Sequence, residues 1–344
     1  MEKLSRIGMD TSKQIFQLHG VDEAERAVLR RKFRRKDVLA FFEALAPTAV
    51  GIEASGGAHY WARELTRLGH QVRLIAPQYV KPYVKRGKND AADAEAICEA
   101  MSRPTMRFVA IKSAESQAAL MLAGMRERLV RHRVQLANAI RGYAAEFGLV
   151  AAKGRAKLEP LLLRLQSDAT IPLLARELFI EHAKEYAQLT AQLAAVDAKL
   201  MAWHRANEVS RRLARIPGVG PVIASLLAMK TPDPHAFRSG RQFAAWIGLT
   251  PKDHSTAGKT RSGVITRAGD ETLRSLLVVG ATAVIWQARR GSARYASPWL
   301  LALLKRKPPK LAAVALANKI ARIAWKLMAT GESYDVRRAL PAIT

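Results

Sequence analysis

Short apolar runs separated by polar breaks open the chain, and long heptad-like runs follow them. Residues Ser5–Leu18 (SRIGMDTSKQIFQL) read as a strand with a polar interruption at Asp10–Lys13. Glu23–Phe33 reads as an edge-type strand, with Val, Leu and Phe set among arginines, and Lys36–Leu45 as a helix. Thr48–Ile52 (TAVGI) is a short apolar run of buried-strand type that ends in Glu53. His59–Leu68 has the spacing of an amphipathic helix stopped by Gly69, and Gln71–Ile75 is a further strand closed by Pro77. Strands alternating with helices predict a layered α/β domain.

The period then changes. Leu122, Met125, Leu129, Leu136, Ile140, Tyr143 and Phe147 fall three, four or seven apart, and so do Tyr186, Leu189, Leu193, Val196, Leu200 and Trp203. Both runs have coiled-coil seams, and Gly154, Pro160 and Pro172 break the chain between them. A long helical hairpin, a dimerising coil and a plain helix bundle all satisfy this pattern. From Ile216 the sequence IPGVGPVIASLLA predicts helix, Pro-Gly-Val-Gly turn, helix. This is a helix-hairpin-helix pattern, in which Gly218 and Gly220 would expose backbone N–H groups to a DNA phosphate. A tight turn between packed helices is the plainer reading.

Charge narrows the function. Lys plus Arg number 56 against 29 Asp plus Glu, a formal net charge of +27 that favours a polyanionic partner. Between Thr272 and Gly331 stand eleven Lys and Arg and no acid, where ordinary solvated surface would mix signs. A basic membrane-surface protein would need an amphipathic anchor or lipidation signal, and neither is recognisable. Residues Met1–Asp10 lack the apolar core of a signal peptide. The longest uncharged apolar stretch, between Arg274 and Arg289, is too short to span a bilayer, so no membrane role is expected. The single cysteine, Cys98, excludes an intrachain disulfide and fits a reducing cytoplasm. Aromatic content is low at 6%, so stacking on single strands is not expected to be the main binding device. Trp246 and Trp325 read as packing residues, and His254 as a loop histidine.

Four acids stand out by position: Asp10 in IGMDTSK, Glu53 in VGIEASGG, and Asp90 and Asp93 in KNDAADAEAI. A carboxylate at the end of a buried strand is costly unless a positive charge faces it, and a divalent metal supplies one. Two aspartates three apart share a helix face. Taken singly, Asp90 could cap a helix with Asp93 closing a capping box, and Asp10 could be a turn acid. The order strand-Asp, strand-Glu, helix-Asp-x-x-Asp is what gives the set specificity.

In these stretches, and in IPGVGPVIA, FAAWIGLTPKDHSTAGK, ITRAGDETLR and ALANKIARIAW, the chain resembles the DEDD transposases of bacterial insertion sequences, the bridge-RNA-guided recombinases. The resemblance runs in family order along nearly the whole chain. It implies an α/β RNase H-like (RuvC-like) catalytic domain over residues 1–112. A coiled-coil, dimerising region would follow over 113–207, then a mostly α-helical transposase domain with the helix-hairpin-helix over 208–344. It implies Asp10, Glu53, Asp90 and Asp93 as the quartet holding Mg2+, or alternatively Mn2+. It also implies a serine nucleophile in the segment DHSTAGKTRSGVITRAGD. Aligned without a gap, that serine falls on Thr256; a shift of one residue restores a serine at Ser255, the lead residue, with Thr256 the alternative.

Lys259, Arg261 and Arg267 would offset a bound phosphate, and Arg274, Gly218 and Gly220 would add nucleic-acid contacts. The implied partners are donor and target double-stranded DNA, a structured guide (bridge) RNA and further copies of the chain, as a dimer or tetramer. Carboxylates and serine would act in a composite site. A Holliday-junction resolvase or nuclease that uses the same carboxylates with water is the competing enzyme. A non-enzymatic DNA- or RNA-binding protein is the competing class, and the carboxylate order argues against it.

Overall fold

A computed structural model describes residues 4–85, 90–231, 233–254, 261–292 and 294–335. The chain divides into two compact units, residues 1–117 and 118–344.

The first unit is built on a six-stranded sheet. Its strands are β1 (Arg6–Asp10), β2 (Ile15–Val21), β3 (Ala27–Arg34), β4 (Ala49–Glu53), β5 (Gln71–Ile75) and β6 (Phe108–Val109), in the order β3-β2-β1-β4-β5-β6. β1, β2 and β3 form an antiparallel meander; β4 and β5 lie parallel to β1, and β6 returns antiparallel. The expected single strand over Ser5–Leu18 is therefore two. Ser12 accepts a hydrogen bond from the Ile15 N–H at 3.1 Å and turns the chain back on itself. The helices are α1 (Val38–Glu43), α2 (Ala58–Arg67), α3 (Pro77–Val80) and α4 (Asp90–Ala100).

Strand alternation sorts the side chains by face. Ile7, Met9, Val50 and Ile52 are buried with Phe16, Phe42, Trp61 and Leu65, on the side covered by α1 and α2. The residues between them, Gly8 and Gly51, face α4, which packs there through Ile97, with Met101 just past its end. Cys98, on α4, is a free and buried cysteine.

The second unit is mostly helical. Here α5 (Ala114–Glu146), which begins in the first unit, and α7 (Leu173–Ala206) run antiparallel, bracketing the shorter α6 (Leu158–Ser167). Arg126 pairs with Asp197 at 2.6 Å, Tyr143 stacks on His182 and Phe147 meets Phe179, so numbers rise on one helix as they fall on the other. The α7 seam is as the spacing predicts: Tyr186, Leu189, Leu193, Val196 and Leu200 are buried. The α5 seam is not. Met125, Tyr143 and Phe147 are exposed, and Ala119, Ala123 and Ala144 are buried with Leu129, Leu136 and Ile140. Small residues let the helix approach its neighbours where the larger ones would hold it off.

A second apolar core gathers α8 (Glu208–Leu213), α9 (Pro221–Lys230), α10 (Gly240–Trp246), α11 (Glu271–Arg289), α12 (Pro298–Arg306) and α13 (Pro309–Thr330). A small hairpin of β7 (Pro251–Asp253) and β8 (Ser262–Ile265) interrupts these helices. Among the described residues no helix is long and apolar enough to cross a membrane.

Candidate active site

The four acids meet because two parallel strands and one helix end together. Met9 pairs in register with Ile52, so Asp10 and Glu53 follow side by side at the C-terminal ends of β1 and β4. Both sit two residues after a glycine, Gly8 and Gly51, which are themselves register partners. Alternation then points the acids to the face that carries α4.

The glycines let α4 settle. A Cβ on Gly8 would lie 2.1 Å from the Ala94 carbonyl oxygen and 2.5 Å from the Cys98 nitrogen; one on Gly51 would meet the Met101 sulfur at 2.8 Å. The close seat brings the first turn of α4, with Asp90 and Asp93, to the strand ends. Carboxylate oxygens of Asp10, Asp90 and Asp93 come within 4.8 Å of one another. Glu53 stands outside that tightest group but completes the charge cluster.

Electrostatics mark the same place. Burial, then Asp93, Asp90 and Glu53 in turn, push the Asp10 carboxyl up to about 6 from its ordinary 3.8, against a backbone N–H from Thr11 that favours its charged form. Burial and Asp93 raise Glu53 as well. No Lys or Arg forms an ion pair with any of the four among the described residues. Hard oxygen donors crowded without a counter-charge are suited to a small divalent cation.

A DEDD transposase family of the IS110 type matches residues 7–147, which hold all four acids, and the "Transposase IS116/IS110/IS902 family" matches residues 210–296. A putative transposase of Sinorhizobium fredii, y4pF/y4sB, is 66% identical over 97% of this chain and 86% of its own length. A probable family 20 transposase of Pseudomonas aeruginosa is 50% identical over 96% of this chain and 98% of its own. The transposase for insertion sequence element IS1111A of Coxiella burnetii is 37% identical over 97% and 92%. The chain belongs to the IS110 family of insertion-sequence transposases.

The other predicted residues of the transposase have mixed placements. Ser255, Thr256 and Lys259 lie outside the described residues. The ends of that segment are described: β7 and β8 pair, and His254 donates its backbone N–H to the Arg261 carbonyl at 2.8 Å. Arg267 holds a left-handed backbone, φ 56°, a strained state for a residue with a side chain. Arg274 is turned inward. One of its guanidinium nitrogens donates to the carbonyls of Ile247 and Ala268, at 3.0 and 2.9 Å, and clamps the turn that carries Arg267.

Gly218 and Gly220 part company. Gly218 has φ 84°, and a Cβ on it would lie 2.9 Å from the Gly280 carbonyl oxygen, so packing against α11 accounts for it. Gly220 precedes α9, with open space where a Cβ would go. Trp325 is half-buried and donates its Nε1–H to the Pro234 carbonyl at 2.9 Å; Trp246 stacks on Phe243 yet is partly exposed. Gly8 and Gly51 are the functional positions that sequence reasoning misses. Their signal is present twice, as Gly-Met-Asp and Gly-Ile-Glu.

Proposed function

We propose that this transposase cuts and rejoins DNA with a serine nucleophile, Ser255 or else Thr256, working with a divalent cation held by Asp10, Glu53, Asp90 and Asp93. The observation that carries the reading is the gathering of Asp10, Asp90 and Asp93, with Glu53 beside them, where two parallel strands end against the first turn of α4, with no cationic partner among the described residues. The β3-β2-β1-β4-β5 strand order supports an RNase H-like, RuvC-like domain over residues 1–112. The separate apolar cores of the long helices and of the C-terminal helices support the further division at 113–207 and 208–344.

Bound Mg2+, or Mn2+ in its place, would offset charge on the phosphate and the leaving oxygen. The four carboxylates fix where that charge acts. The serine Oγ attacks phosphorus: the Oγ–P bond forms, the P–O3′ bond breaks, Oγ gives up its proton and the 3′ oxygen gains one. A 3′ hydroxyl from the partner strand reverses the step and frees the serine. One phosphodiester is exchanged for another, so no ATP is required. Lys259, Arg261 and Arg267 balance the phosphate charge. The exposed Gly220 end of the Pro-Gly-Val-Gly turn offers a helix N-terminus to duplex backbone, as a helix-hairpin-helix does.

Target choice is assigned to a structured bridge RNA read through shape and backbone. The acid-free basic run from Thr272 to Gly331 supports this, as does the net charge of +27. Assembly as a dimer or tetramer is supported by the apolar residues left exposed near the closed end of the helical hairpin, among them Tyr143, Val150, Leu173 and Leu174. A cytoplasmic, nucleoid-bound enzyme follows from these partners.

Covalent trapping tests the proposal. The protein is incubated with Mg2+, the RNA flanking its element, and labelled donor and target DNA, then denatured. An adduct at Ser255 or Thr256 that disappears in Asp10→Ala supports it and settles the register. Cleavage without an adduct would leave a carboxylate nuclease that uses water.

A further inference from the structure

A groove of about 870 Å³ opens in the C-terminal unit. Its floor is one face of α13, where Leu311, Ala315, Asn318 and Arg322 recur at spacings of three and four. Trp299 of α12 stands on one wall and Val264 of β8 on another. The volume suits a ligand larger than a single ion, within the range of about 300–1,000 Å³ typical of organic ligands.

The chemistry of the lining is two-sided. Arg241, Lys307, Lys319, Arg322 and Lys326 line the groove, and among the described residues no Asp or Glu does. Of the five, Lys326 alone has an ion pair among the described residues, to Glu332 at 3.4 Å. Between these cations the surface is mostly apolar. Lys319 holds its ammonium 4.4 Å from the centre of the Trp299 ring, half-buried, where burial and Arg322 lower its pKa. An ammonium left on an indole face is ready to exchange that contact for a phosphate. Asn318 donates to the Leu249 carbonyl at 3.2 Å, which leaves its own oxygen free to accept from a base edge.

A duplex would use the cations and leave the apolar floor unfilled, because its bases are stacked inside. A protein partner would be offered five positive charges with no matching acid. An unpaired nucleotide has both parts, an anionic phosphate and a flat apolar base. The choice of DNA over RNA rests on the function proposed above: β8, a wall of the groove, leads directly out of the segment 255–260 assigned there to strand cutting.

We infer that the groove takes one or two unpaired nucleotides of the DNA strand being exchanged, bases against the α13 floor and Trp299, phosphates on the cationic rim. It would hold a strand end locally melted beside the cut.

Fluorescence anisotropy on the full chain tests this. The probes are labelled oligo-dT of about 12 nucleotides, the same oligomer with abasic residues, oligo-U, and a duplex of equal length. Ala315→Phe fills the floor and keeps every cation. It should weaken oligo-dT about tenfold, the scale of one base stacked on an aromatic surface, and leave duplex and abasic binding within about twofold. Val264→Asp, an exposed site with little to lose in folding, places an acid on the wall and should weaken oligo-dT likewise. Unchanged oligo-dT binding in both variants, or equal weakening of the duplex, overturns the inference. So does abasic binding as tight as oligo-dT. Oligo-U that binds more tightly than oligo-dT, with the same response to Ala315→Phe, makes the groove an RNA site and overturns it too. The nucleophile is judged separately: a serine adduct with a silent groove sinks only the groove, and a responsive groove without an adduct sinks only the nucleophile.

Discussion

Each unit contains a place where two glycines let backbones touch, and the two places differ in purpose. In the N-terminal unit Gly8 and Gly51 lie side by side on β1 and β4 and receive α4. In the C-terminal unit Gly218 receives Gly280 of α11, each lying where a Cβ on the other would collide with its carbonyl. The first contact gathers four negative charges that repel one another; the second joins uncharged turn to uncharged helix. A close approach therefore does not by itself mark a site. What marks one is a charge arrangement that the fold does not balance by itself.

The sharpest break in this comparison comes from the acids. Asp10→Asn should lower strand cleavage by about 10²–10³-fold, the scale on which loss of one charge-positioning group acts, while leaving duplex binding intact. A gel assay of cleavage beside an anisotropy titration separates the two. Gly8→Val should follow, with a stability loss of about 3 kcal/mol from overpacking against Ala94 and Cys98, and loss of cleavage with it. Chemical denaturation measures the first; a variant as stable as the wild type would show that α4 does not need its seat.

Next comes the contrast between the two turn glycines. Gly218→Ala should cost about 2 kcal/mol, since both its φ of 84° and Gly280 oppose a side chain. Gly220→Ala meets open space and should change stability by less than about 0.5 kcal/mol. If the turn grips a phosphate, Gly220→Ala weakens duplex binding without loss of stability. Unchanged binding would reduce the turn to packing alone.

The smallest effect is in pH. Asp10 in the folded chain titrates near 6, above the 3.8 of a free carboxyl, so the native state keeps a proton that the unfolded state has released. Cation-free protein should thus lose stability as pH rises from about 4 to about 6 and hold the lower level above that. The carboxyl is part-exposed, so the difference from Asp10→Asn should be only about 1 kcal/mol after screening. Parallel thermal melts of the two proteins across that range read it, and Mg2+ added above pH 6 should restore the loss in the wild type only.

Much of the fold is readable from the chain, and the failures have physical causes. The apolar runs at Thr48–Ile52 and Gln71–Ile75 announce β4 and β5 because buried strands leave a dense local signal. The turn between β1 and β2 passes for a polar patch in one strand, because Thr11–Gln14 contains neither Gly nor Pro and it is a serine, Ser12, that accepts the Ile15 N–H there. The α5 seam misleads at Met125, Tyr143 and Phe147, since size suggests burial there while alanines carry the contact. The order of the four acids is legible, and the resemblance implies that they form one quartet; the register between β1 and β4 that brings them together is printed by no local pattern. Arg274 is read from the sequence as a nucleic-acid contact; the hydrogen bonds that one of its nitrogens gives to the carbonyls of Ile247 and Ala268 need the folded turn to be seen.

The central claim is that Asp10, Glu53, Asp90 and Asp93 form one cation site. Mn2+ titration followed by electron paramagnetic resonance tests it most directly, on the full chain and on Asp10→Asn with Asp93→Asn. The account predicts saturable Mn2+ binding at pH 8, weakening steeply as the pH falls below about 6 and protons reclaim Asp10, and absent from the double variant. Equal Mn2+ binding by the double variant, or none by the wild type at any pH, would contradict it.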